Sequence, residues 1–166
     1  MTADAVRARL SRLLREAGID RAALCRLAAE LAAFAPGLAA DPADRPRQAL
    51  LAVDLHDYYT AIETLFERVA RSIDGDVPAG ADWHRELLVQ MASDIPGVRA
   101  ALLDDDLHTW LSGLRAFRHF FRHAYGVTLA NERLLQQADE LQARHPVLLT
   151  RLDALLAQVD AARRGG

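Results

Sequence analysis

The residues best suited to chemistry lie in the segment FRHFFRHAYG, residues 117–126. It holds Arg118, His119, Arg122, His123 and Tyr125 within eight positions. A histidine titrates near neutral pH and can take a proton from a ribose 2′-hydroxyl, while an arginine can hold a phosphate and offset the charge of its transition state. RNA cut in this way is cleaved by its own 2′-oxygen and leaves a 2′,3′-cyclic phosphate. The chemistry calls for neither a metal nor any other cofactor.

The spacing sets conditions on that chemistry. His119 and His123, four residues apart, share one helical face with Arg115 and Arg122 beside it. Arg118 falls close to an apolar ridge formed by Leu107, Trp110, Leu111, Leu114, Phe117 and Phe121. A guanidinium there needs an anion or several acceptors. A carboxylate such as Glu63 or Asp57 could serve, and so could a phosphate. Five residues of ideal helix separate Arg118 and His123 by roughly 140° in azimuth and about 7.5 Å along the axis. Either Arg118 reaches around its helix, or the same helix of a second subunit completes the site across a two-fold axis. The second arrangement is the expected one. Histidines at i and i+4 are also a known metal-ligand pair, but the zincin pattern needs Glu after the first and Phe120 stands there. No metal site is expected.

These residues need a scaffold, and the chain supplies helices. Gly and Pro cluster at Pro36-Gly37, Asp41 to Pro46, Gly75 to Gly80, Pro96-Gly97 and Gly126. Between those points apolar residues recur at three- and four-residue spacing, which reads as helix throughout. The first helix is expected over about Ala3 to Ala35, bent near Gly18. A second begins at Pro46 and runs to about Asp74 with Leu51, Leu55, Tyr58, Ile62, Leu65, Phe66, Val69 and Ile73 inward. Asp82 can cap a third, WHRELLVQMAS. The run Asp104-Asp105-Asp106 suits the N-terminus of a fourth that continues to about Tyr125 and stops at Gly126. The fifth spans about Asn131 to Ala162, kinked at Pro146. The expected fold is all-α, an antiparallel bundle of about five helices. Residues 1–45 read as a helical extension packed on a bundle of residues 46–166, one domain overall.

Composition narrows the classes. With 166 residues, half of them hydrophobic, the chain can bury a real core. The single Cys25 cannot form an internal disulfide and suits a reducing compartment. No signal peptide pattern opens the chain, and no continuous apolar stretch reaches the ~18 residues of a spanning helix, so a cytoplasmic protein without a membrane partner is expected. A net charge of −3 argues against broad passive binding to nucleic acid. The local balance differs, because Leu107 through Asn131 contains no Asp or Glu while holding Arg115, Arg118, Arg122 and three of the six histidines.

Arg118, four intervening residues, His123, one residue and Tyr125 form the Arg-x4-His-x-Tyr pattern, with the polar His119 directly after the arginine. This pattern resembles the signature of HepT toxins in the HEPN ribonuclease superfamily. The stretches HDYYTAIETLFERVARSIDG and WHRELLVQMASDIPGVR are also similar to HepT-like proteins, so the resemblance covers about Leu50 to Leu129. It implies a homodimeric HEPN-like bundle with a composite ribonuclease cleft: Arg118 and His123 as catalytic residues, and His119, Arg122 and Tyr125 in support. It also implies RNA as substrate and a minimal nucleotidyltransferase (MNT-type) antitoxin as partner. In such pairs the antitoxin can transfer AMP to the motif tyrosine, here Tyr125. A bulky anion attached beside His123 would block the cleft and repel RNA phosphates. Without the motif, Tyr125 reads as an aromatic packing at a helix end. The same residues also admit a module that binds a nucleotide or a nucleotidyltransferase without cleaving RNA. The cluster Trp83, His84, Arg85 and Glu86 reads as structural, and Asp54, His56, Asp57 and Glu63 read as surface or buried pairing partners, one of which could orient Arg118 or His123.

Overall fold

The computed structural model describes residues 2–123 and 130–165, the side chains of Arg122 and His123 excepted. Five helices follow one another along the chain: α1 (Ala3–Ala40), α2 (Arg45–Val69), α3 (Trp83–Met91), α4 (Asp105–His123) and α5 (Asn131–Gly165). The all-α class expected from periodicity is what forms, and no strand occurs among the described residues. α1 lies along both α2 and α5, while α4 packs on α2 and is braced by α3 and α5. One core joins all five, with Leu13, Leu31, Leu55, Ile62, Leu88, Leu111 and Leu152 buried in it.

α1 runs five residues past its expected end. Pro36 sits inside it, where proline forfeits one backbone donor, but Leu38 is fully buried and the Asp41 amide closes the helix on the Gly37 carbonyl at 3.0 Å. Burial of Leu38 favours continuing the turn. Gly37 serves a second purpose: a Cβ there would fall 2.3 Å from the Arg47 guanidinium, so glycine lets α2 start directly against α1. α1 is also long and apolar enough, by length and composition, to cross a membrane, which differs from the expectation drawn from continuous runs. Here its Leu24, Leu27 and Leu31 are buried in the core beside α2 and α5.

α2 opens as expected, with proline in the first turn and the Asp44 carboxylate accepting from the Arg47 amide at 2.9 Å. Its end widens into a π-helical turn over Ala70–Asp74, closed by Gly75 at φ 81°. Asp74 on that turn pairs with Arg99 at 2.8 Å, the two side chains 2% and 1% exposed, and Arg99 also donates to the carbonyls of Gln90, Ser93 and Ala100. This pair pins the α3–α4 connection onto the end of α2.

Asp82 precedes α3 but makes no capping hydrogen bond, contrary to expectation. Its backbone, at φ −101° and ψ 11°, lacks the extended geometry that aims a cap side chain at the first turn. The acidic run before α4 does cap: Asp104 accepts from the Leu107 amide at 2.9 Å. Asp104 and Asp106 also pair with Arg151 and Arg144 of α5, which fixes the start of α4. Leu107, Trp110, Leu111, Leu114 and Phe117 form the expected buried ridge. The expected stop at Gly126 lies outside the described residues.

Candidate functional site

α4 delivers Arg118 to the face of α2. Its Nη1 donates to both carboxylate oxygens of Glu63, at 2.7 and 2.5 Å, and its guanidinium lies over the Tyr59 ring with 5.6 Å to the centroid. Of the two carboxylates considered from sequence, Glu63 is the partner. Asp57, six residues earlier, is instead bonded to His56 at 3.1 Å. The Arg118 side chain is 14% exposed. Its Nε is buried and finds no hydrogen-bond partner among the described residues, which leaves a cationic donor unspent.

Glu63 is itself 4% exposed, and a carboxylate so placed needs compensation for lost hydration. The Arg118 guanidinium supplies the opposing charge, and a second group bonds the same two oxygens. His84, the second residue of α3, brings Nδ1 to 2.5 and 2.9 Å from the two Glu63 oxygens. The Trp83 ring lies 3.7 Å from the His84 ring at 31°, covering one face of the imidazole. Tyr59 is buried beneath Arg118, and its hydroxyl is held well above the usual tyrosine range, chiefly by burial and then by the Glu63 charge. Four residues from three helices thus meet at one buried carboxylate.

His84 is the functional candidate that sequence reasoning left among structural residues. Periodicity placed it at the start of a helix but carried no sign of which side of α2 that helix covers. Only the return of the chain through the loop after Gly75 brings His84 back to Glu63, 21 residues earlier.

Of the other residues of the motif, His119 has a described side chain. His119 is exposed on α4, beside the exposed Phe120, and Phe121 turns inward, its ring 5.6 Å from that of His56. Arg122 and His123 close α4, and their side chains lie outside the described part of the structure. Tyr125 also lies outside it. Among the described residues no group of three or more His, Cys, Asp or Glu side chains is arranged to hold a metal ion.

A second arginine-rich surface, the depression lined by Arg9, Arg12, Arg68 and Arg71, flanks a different face of α2. Five residues of helix turn Arg68 about 140° away from Glu63. Arg68 is paired with Glu16 and Asp20, and Arg71 lies 3.6 Å from Glu67. The Arg68 pairs join α1 to α2.

Comparison with known proteins agrees with this architecture. Neither the curated proteins nor the solved structures contain a match to this chain. A family model described as HepT-like protein matches residues 50–159, from the second turn of α2 to the last turns of α5. The match takes in Glu63, His84 and Arg118 together with the whole of α4, and it covers more than half of the chain. The protein therefore belongs to the HepT-like family of the HEPN superfamily.

Proposed function

We propose that this protein is a metal-independent endoribonuclease toxin of a HEPN/MNT toxin–antitoxin pair. Arg118 holds the scissile phosphate and His123 exchanges protons with the reacting oxygens. His119 and Arg122 add polar contacts to the substrate. The site is completed across the two-fold axis of a homodimer, and the partner antitoxin silences it by transferring AMP to Tyr125.

The observation that carries this reading is the state of Arg118. A guanidinium set against buried Tyr59, with Nη1 held by Glu63 and 14% of the side chain still exposed, is oriented by the protein yet open to solvent. Arginine suits phosphate as a permanently charged and weakly hydrated donor. Family membership and the spacing from Arg118 to His123 and Tyr125 add the acid–base group and the point of modification.

Purified protein should cleave RNA in the presence of chelator and leave 2′,3′-cyclic phosphate ends. His123→Ala should abolish both cleavage and growth arrest while keeping the helical circular dichroism spectrum. Equal cleavage by His123→Ala and wild type would reject the mechanism.

One observation favours a second reading. Glu63 already occupies Nη1, as it would in a module that docks a nucleotide or nucleotidyltransferase without turnover. Such a module would bind its partner and show no RNA cleavage at any enzyme concentration.

A further inference from the structure

The Glu63–His84 contact has the form of an acid–base dyad, and it sits beside the proposed phosphate clamp. Glu63 is buried and bonds Nδ1 of His84, while Nη1 of Arg118 bonds the same two oxygens. When a carboxylate accepts from Nδ1–H, the neutral ring carries its lone pair on Nε2, which is the form a general base needs. Arg118 alone brings a positive charge to Glu63, so charge balance does not require an oriented imidazole as well. The Trp83 ring at 3.7 Å fixes the imidazole plane. The His84 side chain is 31% exposed, and no described residue bonds Nε2. A histidine serving only as a strut for Glu63 would gain nothing from keeping that edge open.

We propose that His84 is a second catalytic histidine, acting as the general base. This rests on the ribonuclease reading above. Cleavage by transesterification moves two protons, one off the 2′-hydroxyl and one onto the departing 5′-oxygen, and in an in-line displacement those oxygens lie on opposite sides of phosphorus, so a second group beside the first serves the two transfers better than one imidazole. His84 Nε2 takes the 2′-hydroxyl proton as the 2′-oxygen forms its bond to phosphorus. The phosphorus–5′-oxygen bond breaks, and that oxygen leaves with a proton from His123. Arg118 balances the charge on the non-bridging oxygens. The products are a 2′,3′-cyclic phosphate and a 5′-hydroxyl, and no external oxidant, metal or co-reactant enters.

The test compares His84→Asn with His123→Ala on two substrates. Asparagine can still donate to Glu63 from its amide but cannot take up a proton; His84→Gln is the second variant should His84→Asn melt early. One substrate is an RNA oligonucleotide. The other is uridine 3′-(4-nitrophenyl phosphate), whose leaving group departs without a proton. His84→Asn should lose about 100-fold or more on both substrates, the scale of a lost general base. His123→Ala should lose as much on RNA but regain most of its rate on the nitrophenyl ester. Wild-type rates in folded His84→Asn or His84→Gln would overturn the inference while leaving the ribonuclease reading intact. Recovery of the His84 variants on the nitrophenyl ester would overturn it too, because that behaviour marks an acid. A wild-type protein that cleaves no RNA would defeat the ribonuclease reading, and the inference with it.

Discussion

Glu63 carries unusual stakes for one side chain, because two bases share a carboxylate that water barely reaches. Taking the acid away leaves Arg118 half-buried beside Tyr59 with its charge uncompensated, and breaking a buried pair in this way typically costs about 3–5 kcal/mol. Glu63→Ala is therefore expected to lower stability by about 3 kcal/mol in urea unfolding. Glu63→Leu combined with Arg118→Met, which removes both charges and refills the volume, should recover much of that loss. A double-mutant cycle on the two positions should give a coupling of roughly 1–3 kcal/mol. Coupling near zero would mean that the contact is incidental. The sequence called for an anion or several acceptors at Arg118, because it sat beside a ridge of apolar residues. It offered two candidate carboxylates, Glu63 and Asp57, on the neighbouring helix. Choosing between them required the register of α4 against α2, which depends on packing and not on local pattern.

At the scale of elements, most of the fold was legible wherever burial repeats every three or four residues. α2 and α4 carry their apolar ridges where periodicity put them. What the pattern missed were contacts between segments distant in the chain. Pro36 looked like a stop because local rules price the lost donor but not the burial of Leu38. Asp74 read as the end of a helix, and nothing in the local pattern tied it to Arg99, with which the fold pairs it. Arg99→Ala should cost about 3–5 kcal/mol, read as a fall in the urea midpoint without a change in slope.

The α2–α5 contact carries a pH dependence of its own. Burial, and secondarily the Arg21 charge, hold His145 below the ordinary histidine range, and the Tyr58 hydroxyl meets its Nδ1 at 2.8 Å. The folded protein therefore binds fewer protons here than the unfolded chain, whose histidines titrate near about 6.5. Stability contributed by the neutral ring is present above that value and is lost as pH falls toward the lower folded value. Asp20 and Asp54, raised mainly by burial, act in the opposite sense in the carboxylate range. The measurement thus belongs between about pH 7.5 and 5.5. Urea midpoints should decline across it, and His145→Gln should flatten the decline; an unchanged slope in that variant would remove His145 as the cause.

The whole-molecule question is whether Arg118 and His123 act together from one subunit or from two. An ideal helix separates them by roughly 140°, and Arg118 is already turned onto α2 of its own chain. If the site is composite, Arg118 of one subunit works with His123 of its partner. Mixing Arg118→Ala with His123→Ala protein then distinguishes the cases, each variant being expected to be inactive alone. In a mixed dimer with composite sites, one site inherits both missing side chains and the other inherits both intact ones. Random exchange at equal amounts makes about half the dimers mixed, each with one working site of two, so about a quarter of wild-type activity should return. A site built within one subunit gives no recovery, since every subunit still lacks one of the pair. The readout is the cleavage rate after co-refolding, compared with the same proteins refolded apart and then combined. Recovery only in the co-refolded sample would place the active centre at the interface. No recovery, with mixed dimers shown by mass spectrometry, would put Arg118 and His123 to work within a single chain.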